Sequence, residues 1–255
     1  MDLGLGGRRA LVGGGSSGLG AAIAAELTRE GAAVAVTARD PARLEASAVR
    51  IGAVAVSADL ATHDGPATAV ATTVERLGGL DLLVVNSGGP PPGSFDALDE
   101  AAWRTAIDGV LLAALRLIRA GLPHLRQSAA PAILIVLSSS VREPIPNLTT
   151  SNVLRPGLVG LVKSLTGEIA PIRINGIAPG RLATDRIAAI DAAQSAASGR
   201  PLDEIRSDTL ARIPLGRYGD PAELGRVAAF LLSPAAAYVT GAIVPVDGGM
   251  VRALP

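Results

Sequence analysis

The sequence predicts an α/β fold in which a parallel sheet of seven strands is covered by helices on both faces. Short apolar runs alternate with helical stretches along most of the chain. The apolar runs are continuous rather than interrupted by a polar residue at every second position, which is typical of strands that helices cover on both faces. No linker and no internal repeat divides the 255 residues. We therefore predict one domain over residues 1–255, a doubly wound, Rossmann-like three-layer sandwich.

The predicted elements follow one another in the order that such a sandwich needs. Strands are expected at residues 8–12, 33–37, 53–56, 80–86, 132–137, 173–178 and 242–246. Helices are expected from residue 21 onward and at about 41–50, 65–77, 100–122, 156–169 and 221–232. The loop at residues 87–93 is too rich in glycine and proline to be regular. Residues 181–213 carry no strand signal, and we expect them to be mostly helical and to form a mobile lid over a substrate.

The first strand, the following helix and the second strand form a βαβ unit with a glycine-rich turn. Gly14, Gly18 and Gly20 lie where the backbone must take a positive φ or approach a ligand closely. A glycine-rich turn alone could also be a flexible loop or a helix cap, but the flanking elements favour nucleotide binding. The helix N-terminus suits a pyrophosphate. The residues predicted to bind it are Gly14, Ser16, Ser17, Gly18, Leu19 and Gly20.

The composition argues against several classes of function. The 23 basic and 23 acidic residues balance, and no block of like charge suggests nucleic acid or an acidic membrane surface as partner. There is no cysteine, and the two histidines lie far apart, so we expect no metal site. No signal pattern and no apolar run long enough for a bilayer is seen, so we expect a cytoplasmic protein.

Short segments beyond the strands complete the pattern. They are Asp59 with Leu60, residues 86–89 (Asn-Ser-Gly-Gly), Pro179 and Gly180 with Thr184, residues 217–221, residues 239–241 and residues 246–249. With the glycine turn, these segments make the sequence resemble the short-chain dehydrogenase/reductase family over nearly its whole length, and most of all its 3-oxoacyl-carrier-protein reductase-like branch. The resemblance implies an oxidoreductase that reduces a carbonyl or oxidises a hydroxyl of a small molecule, and a homodimer or homotetramer.

The residue after the second strand bears on the choice of cofactor. An acidic side chain at that strand end would repel a 2′-phosphate, but here Ala38 is followed by Arg39, whose guanidinium can pair with it. We therefore expect NADP(H) rather than NAD(H). Alternatively, Arg39 merely begins a solvated turn or is neutralised by Asp40. The resemblance further implies that the adenosine and nicotinamide parts are held by Asp59, Leu60, Asn86, Gly88, Arg155, Pro179, Gly180 and Thr184.

The positions that catalyse the reaction in this family are altered here. Aligned on residues 157–165, the family's lysine corresponds to Arg155 and its tyrosine to Ser151. The family's active-site serine lies within residues 138–140, where Ser139 fits the strand best but the register stays open. The family's asparagine corresponds to Val110, which cannot hold a relay water. The expected catalytic residues are therefore Ser139, Ser151 and Arg155.

Two further departures affect the local structure. Pro156 would clash inside a helix, so we expect the helix to start or kink there and to shift Ser151 and Arg155. Gly13 stands where the family usually has threonine, which implies the loss of one hydrogen bond to the loop of Asn86.

Two functions remain open from the sequence. The first is an NADP(H)-dependent oxidoreductase with a rearranged proton donor, around Ser139, Ser151 and Arg155. The second is a cofactor-binding family member without reductase activity, acting as a sensor or a partner subunit. Membership of a family cannot decide between them.

Overall fold

The computed structural model describes residues 2–253, and its centre is a sheet of seven parallel strands. These strands are β1 (Arg9–Gly13), β2 (Ala33–Ala38), β3 (Val54–Ser57), β4 (Leu82–Val85), β5 (Ala132–Val136), β6 (Arg173–Pro179) and β7 (Ile243–Val246). Their order in the sheet is β3-β2-β1-β4-β5-β6-β7. The order reverses between β1 and β4, which opens a crevice beyond their carboxyl ends, where ligands bind in such sheets. The predicted fold class is confirmed.

Helices cover both faces of the sheet. One face carries α3 (Gly65–Leu77), α5 (Ala113–Leu125) and α6 (Thr149–Glu168), with Leu117 and Leu158 in its apolar cluster. The other carries α1 (Gly18–Arg29), α2 (Pro41–Ile51) and α9 (Pro221–Leu232), with Ile23 and Leu224 in a second cluster. The strands lie between the two clusters, which explains their continuous apolar runs.

The helix expected from residue 100 is continuous but not uniform. It comprises α4 (Glu100–Ala106), a π-helical segment (Ile107–Leu112) and α5. Such π segments are rare and often lie at functional sites. No periodicity in the sequence distinguishes this insertion from an ordinary helix, and the prediction missed it.

Of the two expectations at Pro156, a helix start there is wrong, because α6 already begins at Thr149 and contains Pro156 in its interior, while a kink at Pro156 stays a prediction. Proline there removes one helical hydrogen bond, that to the carbonyl of Asn152. Contacts outside the helix hold the first turns in place. The side-chain amide of Asn152 donates to the Ile145 carbonyl (2.9 Å) and accepts from its N–H (3.0 Å), and Thr150 Oγ1 donates to the Pro91 carbonyl (3.1 Å). Ser151 and Arg155 therefore lie four residues apart on one face of α6.

The stretch 181–213 is helical, as expected, and contains α7 (Asp185–Ser198) and α8 (Leu202–Ala211). Asp191 on α7 is fully buried and pairs with Arg181 (3.0 Å), while Tyr218 Oη donates to its other oxygen (2.8 Å). These contacts anchor the first helix of the predicted lid to the segments before and after it. Within residues 2–253 no helix is both long and apolar enough to cross a bilayer.

Candidate cofactor and active site

The turn between β1 and α1 forms a cradle of backbone N–H groups. Gly14 and Gly18 have φ values of +61° and +56°, and a Cβ on Gly20 would lie 2.2 Å from the Gly14 carbonyl oxygen. The side chain of Ser17 does not cap α1, and no acidic residue lies in its first turn. In the described part of the chain, the N–H groups of residues 18–20 have no acceptor. This helix start is prepared for an anionic ligand.

Asn86 joins the loop after β4 to this turn. Its Nδ2 donates to the Gly13 carbonyl at 2.9 Å, and a Cβ on Gly13 would lie 2.3 Å from the Asn86 carbonyl oxygen. The asparagine amide thus connects turn and loop through a bond other than the hydroxyl bond whose loss the glycine at residue 13 implies. Because the Asn86 backbone approaches so closely, a threonine at residue 13 would require the loop to shift.

The adenosine end of the crevice lies beyond β2 and β3. Arg39 is exposed there, and the carboxylate of Asp40 accepts from the N–H groups of Ala42 (3.0 Å) and Arg43 (3.1 Å). Asp40 therefore caps α2 rather than pairing with Arg39 within residues 2–253. One oxygen of Asp59 accepts from the Ala61 N–H at 3.0 Å, and the other makes no hydrogen bond among the described residues. A guanidinium and a carboxylate oxygen are thus available to a ligand.

The other end of the crevice lies beyond β4 and β6. Gly88 is open, because a Cβ there would meet nothing within 4 Å. The Gly180 N–H donates to the Val246 carbonyl at 3.0 Å, which fixes the start of the loop after β6. Thr184 on this loop faces the glycine turn, since a Cβ on Gly18 would lie 3.8 Å from its methyl group. The loops after β1, β4 and β6 therefore border a single crevice.

The structure brings Ser151 next to a serine of the 138–140 triplet, but the partner is Ser140. Their hydroxyl oxygens are 3.2 Å apart, and both residues are buried. Ser138 Oγ accepts from the Ser140 N–H at 3.1 Å. Ser139 is also buried, and its hydroxyl makes no hydrogen bond within the described chain. Its catalytic role stays a prediction, and the geometry adds Ser140 as a candidate.

Arg155 lies one turn after Ser151 and reaches the end of β5. Its Nη1 donates to the carbonyls of Val136 (2.8 Å) and Leu137 (3.0 Å). Its Nε and Nη2 make no hydrogen bond among the described residues. Neither nitrogen is among the fully buried atoms that lack a partner in this part of the chain, which are two threonine hydroxyls, so both remain accessible to a ligand. Burial, with a contribution from the nearby charge of Arg186, lowers the pKa of Arg155 to about 10. The guanidinium stays cationic at neutral pH and can still donate hydrogen bonds to a ligand.

Val110 lies in the π-helical segment and is buried in the apolar cluster beneath α6. The family that the sequence resembles has an asparagine at this position, whereas here the position is apolar and closed to solvent. The two tyrosines do not replace the missing phenol at Ser151. Tyr218 is bonded to Asp191, and burial raises its pKa, while Tyr238 is fully exposed.

Sequence reasoning missed Arg186, in the first turn of α7. Its Nη2 donates to the Pro90 carbonyl at 3.3 Å, and a Cβ on Gly89 would lie 2.1 Å from its Cζ. Burial among these loop atoms lowers the pKa of Arg186. The glycine pair after β4, a recognisable signal, makes room for this side chain, but no sequence pattern indicates which residue fills that room.

Comparisons with known proteins agree with this geometry. A family model described as enoyl-(acyl carrier protein) reductase matches residues 14–251. The chain is 34% identical over 250 residues to a cis-4-hydroxycyclohexanecarboxylate dehydrogenase from Sinomonas cyclohexanicum, covering 95% of this chain and 96% of that protein. It is 32% identical over 250 residues to the 3-oxoacyl-(acyl-carrier-protein) reductase FabG of Vibrio cholerae, covering 96% and 97%.

Solved structures give the same result. The L-sorbose reductase of Gluconobacter frateurii, solved with NADPH and L-sorbose, superposes with a TM-score of 0.94 at 29% identity, with all of both chains covered. The family model and the relatives together cover nearly the whole chain. The chain therefore belongs to the short-chain dehydrogenase/reductase family of oxidoreductases, as the sequence predicted.

Proposed function

We propose that this protein is an NADP(H)-dependent oxidoreductase that interconverts a carbonyl and a hydroxyl group of a small molecule. One observation supports this most directly: the cradle of residues 18–20 and the cluster of Ser140, Ser151 and Arg155 lie at the same edge of the sheet, beyond the carboxyl ends of β1 and β5. The cradle suits a pyrophosphate, and the cluster can bind an oxygen that gains negative charge.

The residues that would hold the cofactor fit its parts. The open N–H groups of α1 suit its pyrophosphate, Arg39 its 2′-phosphate, and the free oxygen of Asp59 its adenine amine. When bound, the cofactor supplies or takes up a hydride. The preference for NADP(H) over NAD(H) is part of this proposal and rests on the uncompensated charge of Arg39.

The chain's own residues would then stabilise the reacting oxygen. Ser140 and Ser151 are hydrogen-bonded to each other, so either hydroxyl can turn to donate to a substrate oxygen. Arg155 supplies positive charge one helical turn away. A serine hydroxyl is a weaker acid than a phenol, whose pKa is about 10. The serine pair therefore donates a hydrogen bond and passes on a proton from solvent, while Arg155 stabilises the negative oxygen.

Fluorescence titration with NADPH and NADH, followed by assays on ketones, aldehydes, oxo acids and acyl thioesters, tests this function. We expect tighter binding of NADPH and turnover of at least one carbonyl class. Ser140→Ala and Ser151→Ala should each lower turnover by about tenfold or more without weakening NADPH binding. Ser139→Ala in the same assays decides whether the serine expected from the sequence takes part.

The second candidate is a family member that binds the cofactor but has no reductase activity. It is favoured by the buried Val110 and by Arg155, part of whose guanidinium is held by the β5 carbonyls. Tight NADPH binding without turnover on any of these substrates would support it. Loss of turnover in Ser140→Ala or Arg155→Lys would exclude it.

The proposed function also includes a small-molecule substrate and assembly into a homodimer or homotetramer. The relatives' names include cis-4-hydroxycyclohexanecarboxylate and a 3-oxoacyl-(acyl-carrier-protein), so they do not agree on one substrate. A homodimer or homotetramer would cover partly exposed leucines on the two long helices, namely Leu111, Leu115, Leu161 and Leu165. A cytoplasmic location, and the absence of nucleic acid and membrane partners, remain expectations from the sequence.

A further inference from the structure

Two arginine side chains extend from different helices to the region beyond the carboxyl ends of the adjacent strands β4 and β5. Arg155 is anchored on the carbonyls of Val136 and Leu137 at the end of β5, and Arg186, from α7, donates to the Pro90 carbonyl in the loop after β4. The two charges are close enough for Arg186 to lower the pKa of Arg155, after the larger effect of burial. Each side chain approaches this point from a different helix.

Neither guanidinium has a carboxylate partner in residues 2–253. The partners of Arg155 are backbone carbonyls, and the one hydrogen bond of Arg186 also goes to a carbonyl. By contrast, the partly buried Arg181 is neutralised by Asp191. Arg155 is the more desolvated of the two, while Arg186 keeps much of its surface in solvent, so an anion held by both would mainly offset the cost of the unpaired charge of Arg155.

The positions of the two arginines indicate which anion they bind. The cofactor pyrophosphate already has the cradle of residues 18–20. Arg155, in contrast, is one helical turn from Ser151, and Thr150 ties the start of α6 to the loop that Arg186 contacts. Residues four apart on a helix have Cβ atoms about 5–6 Å apart, so the groups held by Arg155 and by Ser151 can belong to one small molecule.

We propose that Arg155 and Arg186 form an anion-binding site for a carboxylate of the substrate, so that the protein acts on a short oxo acid or hydroxy acid. The carbonyl or hydroxyl oxygen of the substrate that reacts lies at Ser140 and Ser151. The carboxylate of the same substrate accepts hydrogen bonds from the free Nε and Nη2 of Arg155 and from Arg186. The assignment of the substrate oxygen rests on the proposed function, but the anion site itself does not.

Isothermal titration with malonate, and with its neutral analogue malonamide, tests the site without turnover. We expect malonate to bind both the nucleotide-free and the NADP⁺-saturated protein, and malonamide not to bind. Arg186→Gln should weaken malonate binding by about tenfold or more, because one charge-assisted hydrogen-bonding partner is lost. Arg126→Gln removes the same charge from the exposed residue that directly follows α5, and this variant should bind malonate as the wild type does.

Two results would overturn the proposal. One is equal or absent binding of malonate and malonamide, a comparison made on the wild-type protein that needs no variant to fold. The other is malonate binding that NADP⁺ abolishes, together with weaker NADPH binding in Arg186→Gln, which would assign the arginines to the cofactor pyrophosphate. If malonate binds as expected but no carbonyl compound is reduced, the anion site stands and the proposed oxidoreductase function fails.

Discussion

Asp81 makes the stability of this fold dependent on pH. Its carboxylate is buried just before β4 and accepts from Arg9 Nε (2.8 Å), the Arg9 N–H (2.9 Å) and Ser128 Oγ (2.6 Å). Although burial opposes it, these hydrogen bonds lower the pKa of Asp81 from 3.8 to about 2. Because the folded-state pKa is depressed, the stabilisation is complete well above pH 4 and is lost as the pH falls toward 2.

The shift corresponds to about 2 kcal/mol of unfolding free energy at neutral pH. Asp81→Asn removes the titrating group while keeping the shape of the side chain. We expect the difference in unfolding free energy between wild type and variant to shrink by about 2 kcal/mol between pH 6 and pH 2. Urea denaturation followed by the fluorescence of Trp103, at one protein concentration and several pH values, measures it.

Asp96→Asn is the matched control, because Asp96 is exposed and forms no ion pair among the described residues. Its difference from the wild type should hardly change with pH. A difference for Asp81→Asn that stays constant over this pH range would refute the reasoning.

Three further substitutions test other parts of the molecule. Gly20→Ala should abolish measurable NADPH binding in a fluorescence titration, because its Cβ would lie 2.2 Å from the Gly14 carbonyl oxygen. Arg39→Asp should weaken NADPH binding by about tenfold or more while affecting NADH less, since the 2′-phosphate loses its cationic partner. Tyr218→Phe should lower the unfolding free energy by about 1–3 kcal/mol in urea denaturation, because it deprives buried Asp191 of a hydrogen bond.

Each of these three has a control on the same chain. Gly157→Ala is on α6, where a Cβ would meet nothing within 4 Å, so NADPH binding should persist. Arg76→Asp changes the charge at the exposed end of α3, and the ratio of the NADPH affinity to the NADH affinity should stay that of the wild type. Tyr238→Phe alters a fully exposed side chain and should leave the stability unchanged. Equal effects of a substitution and its control would contradict the corresponding contact.

The order of the elements could be predicted because each strand is an apolar run covered on both faces. The helices Gly65–Leu77 and Pro221–Leu232 have the bounds expected from sequence. Strand ends moved by one or two residues, as at Arg9–Gly13, because register depends on the neighbouring strand. The glycine turn could be recognised because its conformation excludes other residues.

The start of α6 and the details of the active site could not be predicted, because contacts between distant segments decide them. Local propensity places a helix start at Pro156, but the bonds of Asn152 to Ile145 and of Thr150 to Pro91 hold an earlier one. Three adjacent serines are equivalent in sequence, and the turn after β5 selects Ser140 as the partner of Ser151. Arg186 contacts a loop almost a hundred residues earlier in the chain, a separation that no local pattern reveals.

The most direct test of the account is the loss of NADPH absorbance with carbonyl substrates in wild-type, Ser140→Ala, Ser151→Ala and Arg155→Lys protein. We predict that the wild type oxidises NADPH with at least one carbonyl compound. Each variant should be slower by about tenfold or more, with NADPH affinity unchanged in the two serine variants. Tight NADPH binding by the wild type with no oxidation on any substrate, or turnover that all three variants retain in full, would contradict the account.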